Sequence, residues 1–255
     1  MNNYWIGKEQ RAEKAKIHTE EMEQLYPAQI SQSVDDTLIY SGTFFCEKYN
    51  PLTIYLDDID TVSAIYKYTS QGKKVAALNF ASYKYPGGGF LYGSSAQEEC
   101  LCHESNLYNI ISQIPEYYEF NNKHKNKALY WHRGLYTPDV IICRENEPII
   151  SCNIITCAAP NKKAAKRYCS VSDEENYQVL EERIKFVLGI ALDNHIDTLI
   201  VGAYGCGVFG QDPYEVAKIF KSYMEYYGLK EIVFAIPDST SENYIAFDNV
   251  FNEEL

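Results

Sequence analysis

The sequence has no long apolar run and no excess of positive charge, and each absence excludes a class of protein. The longest apolar stretch, about Phe186 to Leu192, is far shorter than the roughly 18 residues that a membrane-spanning helix needs. The 23 lysines and arginines are outnumbered by 35 aspartates and glutamates, which gives a formal charge of −12. Broad binding to nucleic acid depends on basic surface that displaces counterions, so we expect neither such binding nor membrane insertion.

Paired-cysteine motifs and signal-peptide features are also absent. None of the eight cysteines forms a C-x-x-C pair, and the first 16 residues lack the apolar core of a secretory signal. We therefore expect a cytoplasmic protein with free thiols rather than a disulfide scaffold or a zinc finger. Cys100, Cys102 and His103 form the nearest candidate metal cluster, but they would point to different sides of one helix. We predict no metal and no cofactor.

Nothing in the sequence divides the chain into separate domains. Its 255 residues contain no internal repeat, low-complexity tract or Pro/Gly-rich linker. Hydrophobic residues make up 46% of the chain and charged residues 23%, which is typical of soluble globular domains. We predict one domain over residues 1–255 and favour a monomer.

Helix-like and strand-like patterns alternate along most of the chain. A helix is predicted over Lys8–Tyr26, ending before Pro27, and another begins at Thr61 and ends at Gly72. Predicted strands or extended segments are Thr37–Tyr40, Leu52–Leu56, Val75–Phe80, Val140–Cys143, Asn153–Cys157, Thr198–Ala203 and Glu231–Ile236. Further predicted helices are Gln97–Ile114, Asp173–Asn194, Pro213–Tyr227 and Glu242–Phe251.

The late strands are nearly continuous apolar runs, as expected where helices cover both faces of a sheet. The pattern therefore predicts an α/β fold, a three-layer α/β/α sandwich with a mixed, largely parallel central sheet. Residues 1–72 would form an N-terminal helical extension, and residues 73–255 the core. Ligands of such sheets bind at the carboxyl ends of strands, so the loops after Phe80, Cys157 and Ala203 are the candidate site.

The first glycine-rich loop, residues 81–96, follows a buried strand and contains Gly87, Gly88 and Gly89. Consecutive glycines cost backbone entropy on folding, which a loop accepts where its backbone approaches a ligand or takes a positive φ. Taken alone, the triplet fits a flexible surface turn equally well. The next helix opens with Gln97-Glu98-Glu99, and Ser95 with Glu98 fits a capping box.

The second glycine-rich loop, residues 202–210, has a G-x-G-x-x-G pattern at Gly205, Gly207 and Gly210. Backbone N–H groups in such a turn, followed by a helix N-terminus, bind diphosphate well. A dinucleotide-binding site is disfavoured because Glu231 lies at the start of the next strand, whereas a ribose-binding acid belongs near its carboxyl end. Cys206 has no His–Asp partner following in sequence, so we interpret it as a small residue in a tight loop rather than a nucleophile.

A phosphate-binding loop beside paired carboxylates suggests hydrolysis of a glycosidic bond in a diphosphate-bearing sugar. The stretch Pro86-Gly-Gly-Gly, seven residues and then Gln97-Glu98-Glu99 closely resembles the signature of microbial-type poly(ADP-ribose) glycohydrolases, which have a macrodomain fold. The resemblance extends to the segments Leu78–Ser82, Leu107-Tyr108, Thr156–Pro160 and Gly202–Gly210.

This resemblance implies a role for each matching residue. Glu99 would be the general acid/base, and Glu98 would hydrogen-bond the ribose hydroxyls. Phe209 would position the distal ribose, and the second loop would bind the diphosphate through backbone amides. The implied ADP-ribose contacts are Asn79, Gly87, Gly88, Gly89, Gln97, Gly205, Cys206, Gly207, Val208 and Phe209.

The implied activity is hydrolysis of ribose–ribose bonds in poly(ADP-ribose), which releases ADP-ribose. A charge of −12 opposes long-range attraction of this polyanion, so local recognition at a chain end is expected. Two alternatives stay open: a hydrolase of mono-ADP-ribose on protein or nucleic acid, and a non-catalytic ADP-ribose-binding module. The partners would be ADP-ribose and its polymer or ADP-ribosylated macromolecules.

Some neighbouring residues are left without a role. Tyr83, Tyr85, Tyr92 and Tyr204 flank the two loops, and one of them could line the adenine or ribose pocket. The basic run Asn161–Arg167 follows a strand end and is expected to be a solvated loop, with contact to a neighbouring ADP-ribose unit as the alternative.

Overall fold

The computed structural model describes residues 7–44, 52–69 and 71–252. Within these residues it contains ten α-helices and one seven-stranded sheet. The helices are α1 (Lys8–Leu25), α2 (Pro27–Asp35), α3 (Thr61–Thr69), α4 (Gln97–His103), α5 (Leu107–Ile111), α6 (Pro115–Lys123), α7 (Lys162–Cys169), α8 (Asp173–Asp193), α9 (Pro213–Tyr223) and α10 (Glu242–Asn252). The strands are β1 (Leu38–Ser41), β2 (Thr53–Asp57), β3 (Val75–Phe80), β4 (Arg133–Ile142), β5 (Ile150–Cys157), β6 (Thr198–Val201) and β7 (Glu231–Ala235). No helix in these segments has the length and apolar character to cross a bilayer.

The sheet is mixed and largely parallel, as the sequence predicts. Its strand order is β1-β4-β5-β3-β6-β7-β2. The pairs β1–β4 and β4–β5 are antiparallel. The other four pairs, from β5 through β3, β6 and β7 to β2, are parallel.

Alternate side chains of the strands enter two separate cores, one on each face of the sheet. Leu78 and Phe234 belong to the core covered by α8, α9 and α10. Ala77 and Val233, their sequence neighbours, belong to the core covered by α1 to α6. The three-layer α/β/α sandwich predicted from the apolar strands is therefore confirmed.

The topology brings the candidate loops together. In the parallel register Phe80, the last residue of β3, lies opposite Cys157, the last residue of β5. On the other side of β3, Ala77 lies opposite Ile200 near the end of β6. The loops that follow these three strands therefore begin side by side at one edge of the sheet.

Two helices that the sequence analysis missed, α2 and α6, both begin with a proline. Pro27 and Pro115 lie in the first turn of their helices, where a missing N–H costs no intrahelical hydrogen bond. Pro27 ends α1 as predicted, but it also starts the next helix.

The predicted continuous helix over residues 97–114 is wrong, because the structure divides it into α4 and α5. The backbone N–H of Asn106 donates to the Ile141 carbonyl oxygen at 3.1 Å, and its side-chain oxygen accepts from the Ile141 N–H at 3.0 Å. Ser105 forms a β-bridge to Ile142. These bonds to the end of β4 draw residues 104–106 out of helical geometry.

Two other segments also differ from the prediction. β4 begins seven residues before Val140, and its pattern was obscured by a register shift between Thr137 and Val140 around Asp139, whose φ is +52°. The basic run is the helix α7 rather than a loop. The Asn161 side chain accepts the Ala164 N–H at 3.0 Å and caps this helix.

The N-terminal segment contributes to the sheet as well as to the helical layer. β1 and β2 are its two edge strands, paired with β4 and β7. The division of the chain at residue 72 stays a prediction.

Helix α1 contacts the end of the first glycine-rich loop. The Arg11 Nε donates to the Gly93 carbonyl oxygen at 2.7 Å. Gly93 has φ +76°, and a Cβ there would overlap the Lys8 carbonyl oxygen. A side chain at this position is therefore incompatible with the observed approach of α1 to the loop.

We expect Gly93→Ala to lower the free energy of unfolding by more than Gly72→Ala. Both glycines have a positive φ, which costs an alanine about 1–2 kcal/mol. A Cβ at Gly72 meets nothing within 4 Å, so only Gly93→Ala adds a clash with α1. Urea denaturation measures the free energy of unfolding of both variants. Equal losses in the two variants would contradict the close contact between α1 and Gly93.

Candidate active site

Gln97 connects the start of α4 to the end of β3. Its side-chain oxygen accepts the Phe80 N–H at 2.8 Å, and its side-chain nitrogen donates to the Leu78 carbonyl oxygen at 2.9 Å. These bonds place the next two residues, Glu98 and Glu99, at the carboxyl edge of the sheet. The side chain that we predicted to contact ADP-ribose thus uses both ends of its amide on the strand.

Glu99 lies in the first turn of α4 against the first glycine-rich loop. One carboxylate oxygen accepts the Gly89 N–H at 2.8 Å, and the other accepts the Ala96 N–H at 2.9 Å. The predicted capping box of Ser95 and Glu98 is wrong, because Ala96 is the N-cap residue and Glu99 is the residue that bonds back to it. The catalytic candidate is therefore fixed by two backbone donors.

Gly88 lies against both glutamates. A Cβ at this residue would be 2.7 Å from the Glu99 Oε1 and 2.8 Å from the Glu98 Oε2, and its φ is +58°. A side chain at Gly88 is excluded both by the backbone conformation and by these two carboxyl groups. The interpretation of the triplet as an unconstrained surface turn is therefore wrong.

Glu98 is buried, with only 3% of its surface exposed. Its carboxyl group accepts the Ser82 N–H at 2.6 Å and faces the Asn79 side-chain nitrogen at 3.3 Å. Removal from solvent penalises the charged form and raises the pKa of Glu98 to about 8, although these hydrogen bonds act in the opposite direction. Glu98 consequently carries a proton at neutral pH.

Asn79 is fully buried beside this carboxyl group. Its side-chain nitrogen also lies 3.4 Å from the Thr156 hydroxyl, on the neighbouring strand β5. Its side-chain oxygen has no hydrogen-bond partner within the described residues. A buried acceptor without a partner is costly to the folded protein.

The second glycine-rich loop presents free backbone donors. Within the described parts of the chain, no acceptor pairs with the N–H groups of Gly205, Gly207, Val208 and Phe209. At Gly205 φ is +77°, and a Cβ there would be 2.8 Å from that of Ala159. Successive unpaired amides in a glycine-rich turn can form an anion-binding nest. The diphosphate contact of this loop stays a prediction.

Aromatic rings connect the two loops. Phe209 packs edge-to-face on Tyr130 at 6.2 Å between ring centroids, and Tyr130 stacks on Tyr83 at 4.1 Å. The Tyr83 hydroxyl donates to the His124 carbonyl oxygen at 2.8 Å. Tyr83 is thus a structural link between the loops, and Tyr130, with φ +66°, was not predicted from the sequence.

Arg183, in α8, is a second residue that the sequence analysis missed. It is completely buried and donates to the carbonyl oxygens of Ala158 and Leu129 and to the His132 Nδ1. Burial, followed by the nearby guanidinium, lowers the pKa of His132 to about 4, so the imidazole is neutral. Arg183 therefore supports the loop after β5. In the sequence it stands among the charged residues Glu181, Glu182 and Lys185, a context that gives no signal of burial.

The cysteines and the candidate metal cluster show no catalytic geometry. The seven described cysteines are free thiols, and Cys46 lies outside the described residues. Burial raises the pKa of Cys206 to about 12, which makes a thiolate nucleophile unfavourable there. No group of three or more potential metal ligands occurs in the residues that the structure describes.

A buried glutamate pair and a glycine-rich loop with unpaired amides, on adjacent strand ends of an α/β/α sandwich, are the features of a macrodomain-like hydrolase. The chain belongs to the family of microbial-type poly(ADP-ribose) glycohydrolases (PARG). The family model of the PARG catalytic domain matches residues 8–145. Glu98 and Glu99 lie inside the matched segment. No curated protein sequence matches the chain.

Solved structures of bacterial enzymes resemble the whole fold. The glycohydrolase of Thermomonospora curvata is 30% identical, with a TM-score of 0.85 over 95% of this chain and 100% of that one. The same enzyme bound to the inhibitor ADP-HPD is 29% identical, with a TM-score of 0.83 over 94% and 99%. The Deinococcus radiodurans enzyme in complex with ADP-ribose is 30% identical, with a TM-score of 0.78 over 89% and 98%.

We expect the stability of the protein to fall relative to that of Glu98→Gln as pH rises from 5 to 8. The folded protein keeps the Glu98 proton up to about pH 8, whereas the unfolded chain releases it near the usual pKa of 4.5. The stabilisation is therefore complete below pH 4.5 and is lost as pH approaches 8, at up to about 1.4 kcal/mol per pH unit. Urea denaturation at each pH measures the free energy of unfolding of both proteins. A difference between them that does not change with pH would contradict the rise in the Glu98 pKa caused by burial.

Proposed function

We propose that this protein is a poly(ADP-ribose) glycohydrolase that releases ADP-ribose with Glu99 as its general acid/base. The observation that carries the proposal is the arrangement of two buried carboxyl groups directly against Gly88, beside a loop with unpaired backbone amides. Family membership and the ADP-ribose complex of the Deinococcus radiodurans relative support the same substrate.

The second glycine-rich loop would bind the diphosphate. The N–H groups from Gly207 to Phe209 supply partial positive charge. The Lys163 Nζ, which donates to the Gly207 carbonyl oxygen at 3.4 Å, adds a full positive charge beside this loop. With the diphosphate there, the terminal ribose would extend toward the first loop and the glutamate pair. Asn79, whose side chain lies beside the Glu98 carboxyl group, would contact this ribose or hold the catalytic loop in place.

The reaction requires a proton for the leaving oxygen and then a base for the attacking water. Glu99 would protonate the glycosidic oxygen as the bond to the anomeric carbon breaks and an oxocarbenium-like centre develops. The resulting carboxylate would take a proton from the water that adds to this carbon, which restores the acid. Glu98, protonated and buried, would bind the ribose hydroxyls without placing a negative charge of its own beside the substrate.

The two alternatives use the same pocket. A hydrolase of mono-ADP-ribose adducts would differ only in the group attached to the anomeric carbon. A pure binding module has no need for an acid and would gain nothing from burying two carboxyl groups, whose desolvation costs stability. The glutamate pair therefore favours an enzyme.

Cleavage from chain ends is the mode that the charge favours. The surface carries a formal charge of −12 and the polymer is a polyanion, so the two repel each other at long range. Affinity must then come from the local site, which suits one terminal ADP-ribose unit better than a long stretch of the polymer's interior.

We expect Glu99→Gln to lose at least about 100-fold in turnover on poly(ADP-ribosyl)ated protein while retaining ADP-ribose binding. Glutamine can still accept one of the two backbone hydrogen bonds but cannot transfer the proton. Glu174→Gln is the matched control, since Glu174 also lies in the first turn of a helix, α8, but is exposed. Chromatography of released ADP-ribose measures turnover and calorimetry measures binding. Full activity of Glu99→Gln would refute its role.

We expect kcat/KM on long chains to rise when salt is increased from about 20 to 150 mM, because screening weakens the repulsion between polymer and protein. Free ADP-ribose, rather than oligomers, should be the first product at every salt concentration. Initial rates and gel separation of products test both points. A steep fall in kcat/KM with salt, or early oligomers, would contradict local recognition at chain ends.

A further inference from the structure

We propose that an aromatic cavity on the first glycine-rich loop binds the adenine base of the polymer unit that leaves the active site. This proposal rests on the proposed function, because it assigns a subsite to the leaving group of that reaction. The cavity has a volume of about 510 Å³ and is lined by Tyr85, Pro86, Gly88, Leu91, Tyr92 and Tyr108.

The four tyrosines that flank the two loops fall into two classes. Tyr83 and Tyr204 are at most 1% exposed, and their hydroxyls donate to backbone carbonyl oxygens. In contrast, Tyr85 is 62% exposed and Tyr92 is 75% exposed, and both line the same cavity. Two large aromatic side chains left in solvent beside an active site are available to bind a ligand.

Gly88 connects the cavity to the chemistry. This residue lines the cavity, and its Cβ position lies within 2.8 Å of oxygens of both Glu98 and Glu99. No side chain of this residue separates the aromatic surface from the carboxyl that would protonate the leaving oxygen. Gly88 is thus shared by the cavity and the glutamate pair, and a group attached to the leaving oxygen would pass this residue to reach the tyrosines.

The chemistry of the polymer identifies this group. The bond cleaved joins the terminal ADP-ribose to the ribose that carries the adenine of the adjacent unit, so the base lies one sugar away from the leaving oxygen. Aromatic side chains bind nucleobases by stacking, which needs little hydrogen bonding. The cavity volume falls within the range of small-molecule sites. An adenine base fits both the position and the aromatic lining.

Packing against neighbouring parts of the protein holds the walls of the cavity in place. Tyr108 packs on Phe90 at 5.2 Å between ring centroids, and a Cβ at Gly87 would be 2.8 Å from the Tyr108 ring. Leu91 and Tyr92 belong to a 3₁₀ turn that contacts α1. The two exposed rings thus extend from a rigid base, which lowers the entropy cost of stacking a base on them.

Two synthetic substrates test the subsite. In one, ADP-ribose is joined to the sugar of adenosine by the polymer linkage; in the other, it is joined to the same position of a methyl riboside without a base. Wild-type protein should hydrolyse the adenosine compound with the higher kcat/KM. Tyr92→Ala should reduce kcat/KM for that compound by about five- to a hundredfold and leave the compound without a base unchanged.

Two variants separate stacking from structure. Tyr92→Phe retains the ring and should retain the preference for adenosine. Tyr226→Ala removes a tyrosine that is 36% exposed in a turn after α9, outside the cavity, and should change neither rate. Equal losses on both substrates in Tyr92→Ala, or no preference in the wild-type protein, would overturn the proposal.

The two proposals fail in different ways. If wild-type protein hydrolyses both compounds at the same rate, the glycohydrolase assignment stands and the subsite is refuted. If it hydrolyses neither, the proposed function fails, and calorimetric binding of the two compounds decides about the cavity. Tighter binding of the adenosine compound that Tyr92→Ala abolishes would support a base-binding site, whereas equal affinities would refute it.

Discussion

The close approach of Gly88 to the carboxyl groups of Glu98 and Glu99 is the constraint on which the active site depends. The backbone must take φ +58° there, and a Cβ would lie 2.7–2.8 Å from both glutamates. Neighbouring contacts maintain this arrangement, because Gln97 connects α4 to β3 and α1 contacts the loop at Gly93. Parts of the chain that are distant in sequence thus fix the position of the Glu98 and Glu99 carboxyl groups against the first glycine-rich loop.

Burial and partial charge together allow an acidic protein to act on a polyanion. Desolvation keeps Glu98 protonated at neutral pH, which limits negative charge where the substrate ribose would lie. The unpaired amides of the second loop, together with the Lys163 ammonium that donates to the Gly207 carbonyl oxygen, supply positive potential for the diphosphate. Buried contacts hold these loops in place. Arg183 donates to the carbonyl oxygens of Ala158 and Leu129, and the Tyr130 ring contacts those of Tyr83 and Phe209.

The sequence predicted most elements whose signal is local, with α2, α6 and α7 as exceptions, and it missed the features that depend on distant partners. β3 was predicted with its correct bounds because a strand buried on both faces is a continuous apolar run. The break between α4 and α5 depends on Asn106 bonding to Ile141, 35 residues away. The glutamate pair and the glycines were found from their motif. The shifted pKa of Glu98, by contrast, arises from burial that only the folded chain creates.

A crystal structure of the Glu99→Gln protein with ADP-ribose would show whether the two glycine-rich loops form one binding site. We expect diphosphate oxygens about 3 Å from the backbone nitrogens of Gly207, Val208 and Phe209, with the anomeric oxygen at hydrogen-bond distance from residue 99. A diphosphate bound away from the second loop, or a ribose directed away from the first loop, would contradict a single site formed by both loops.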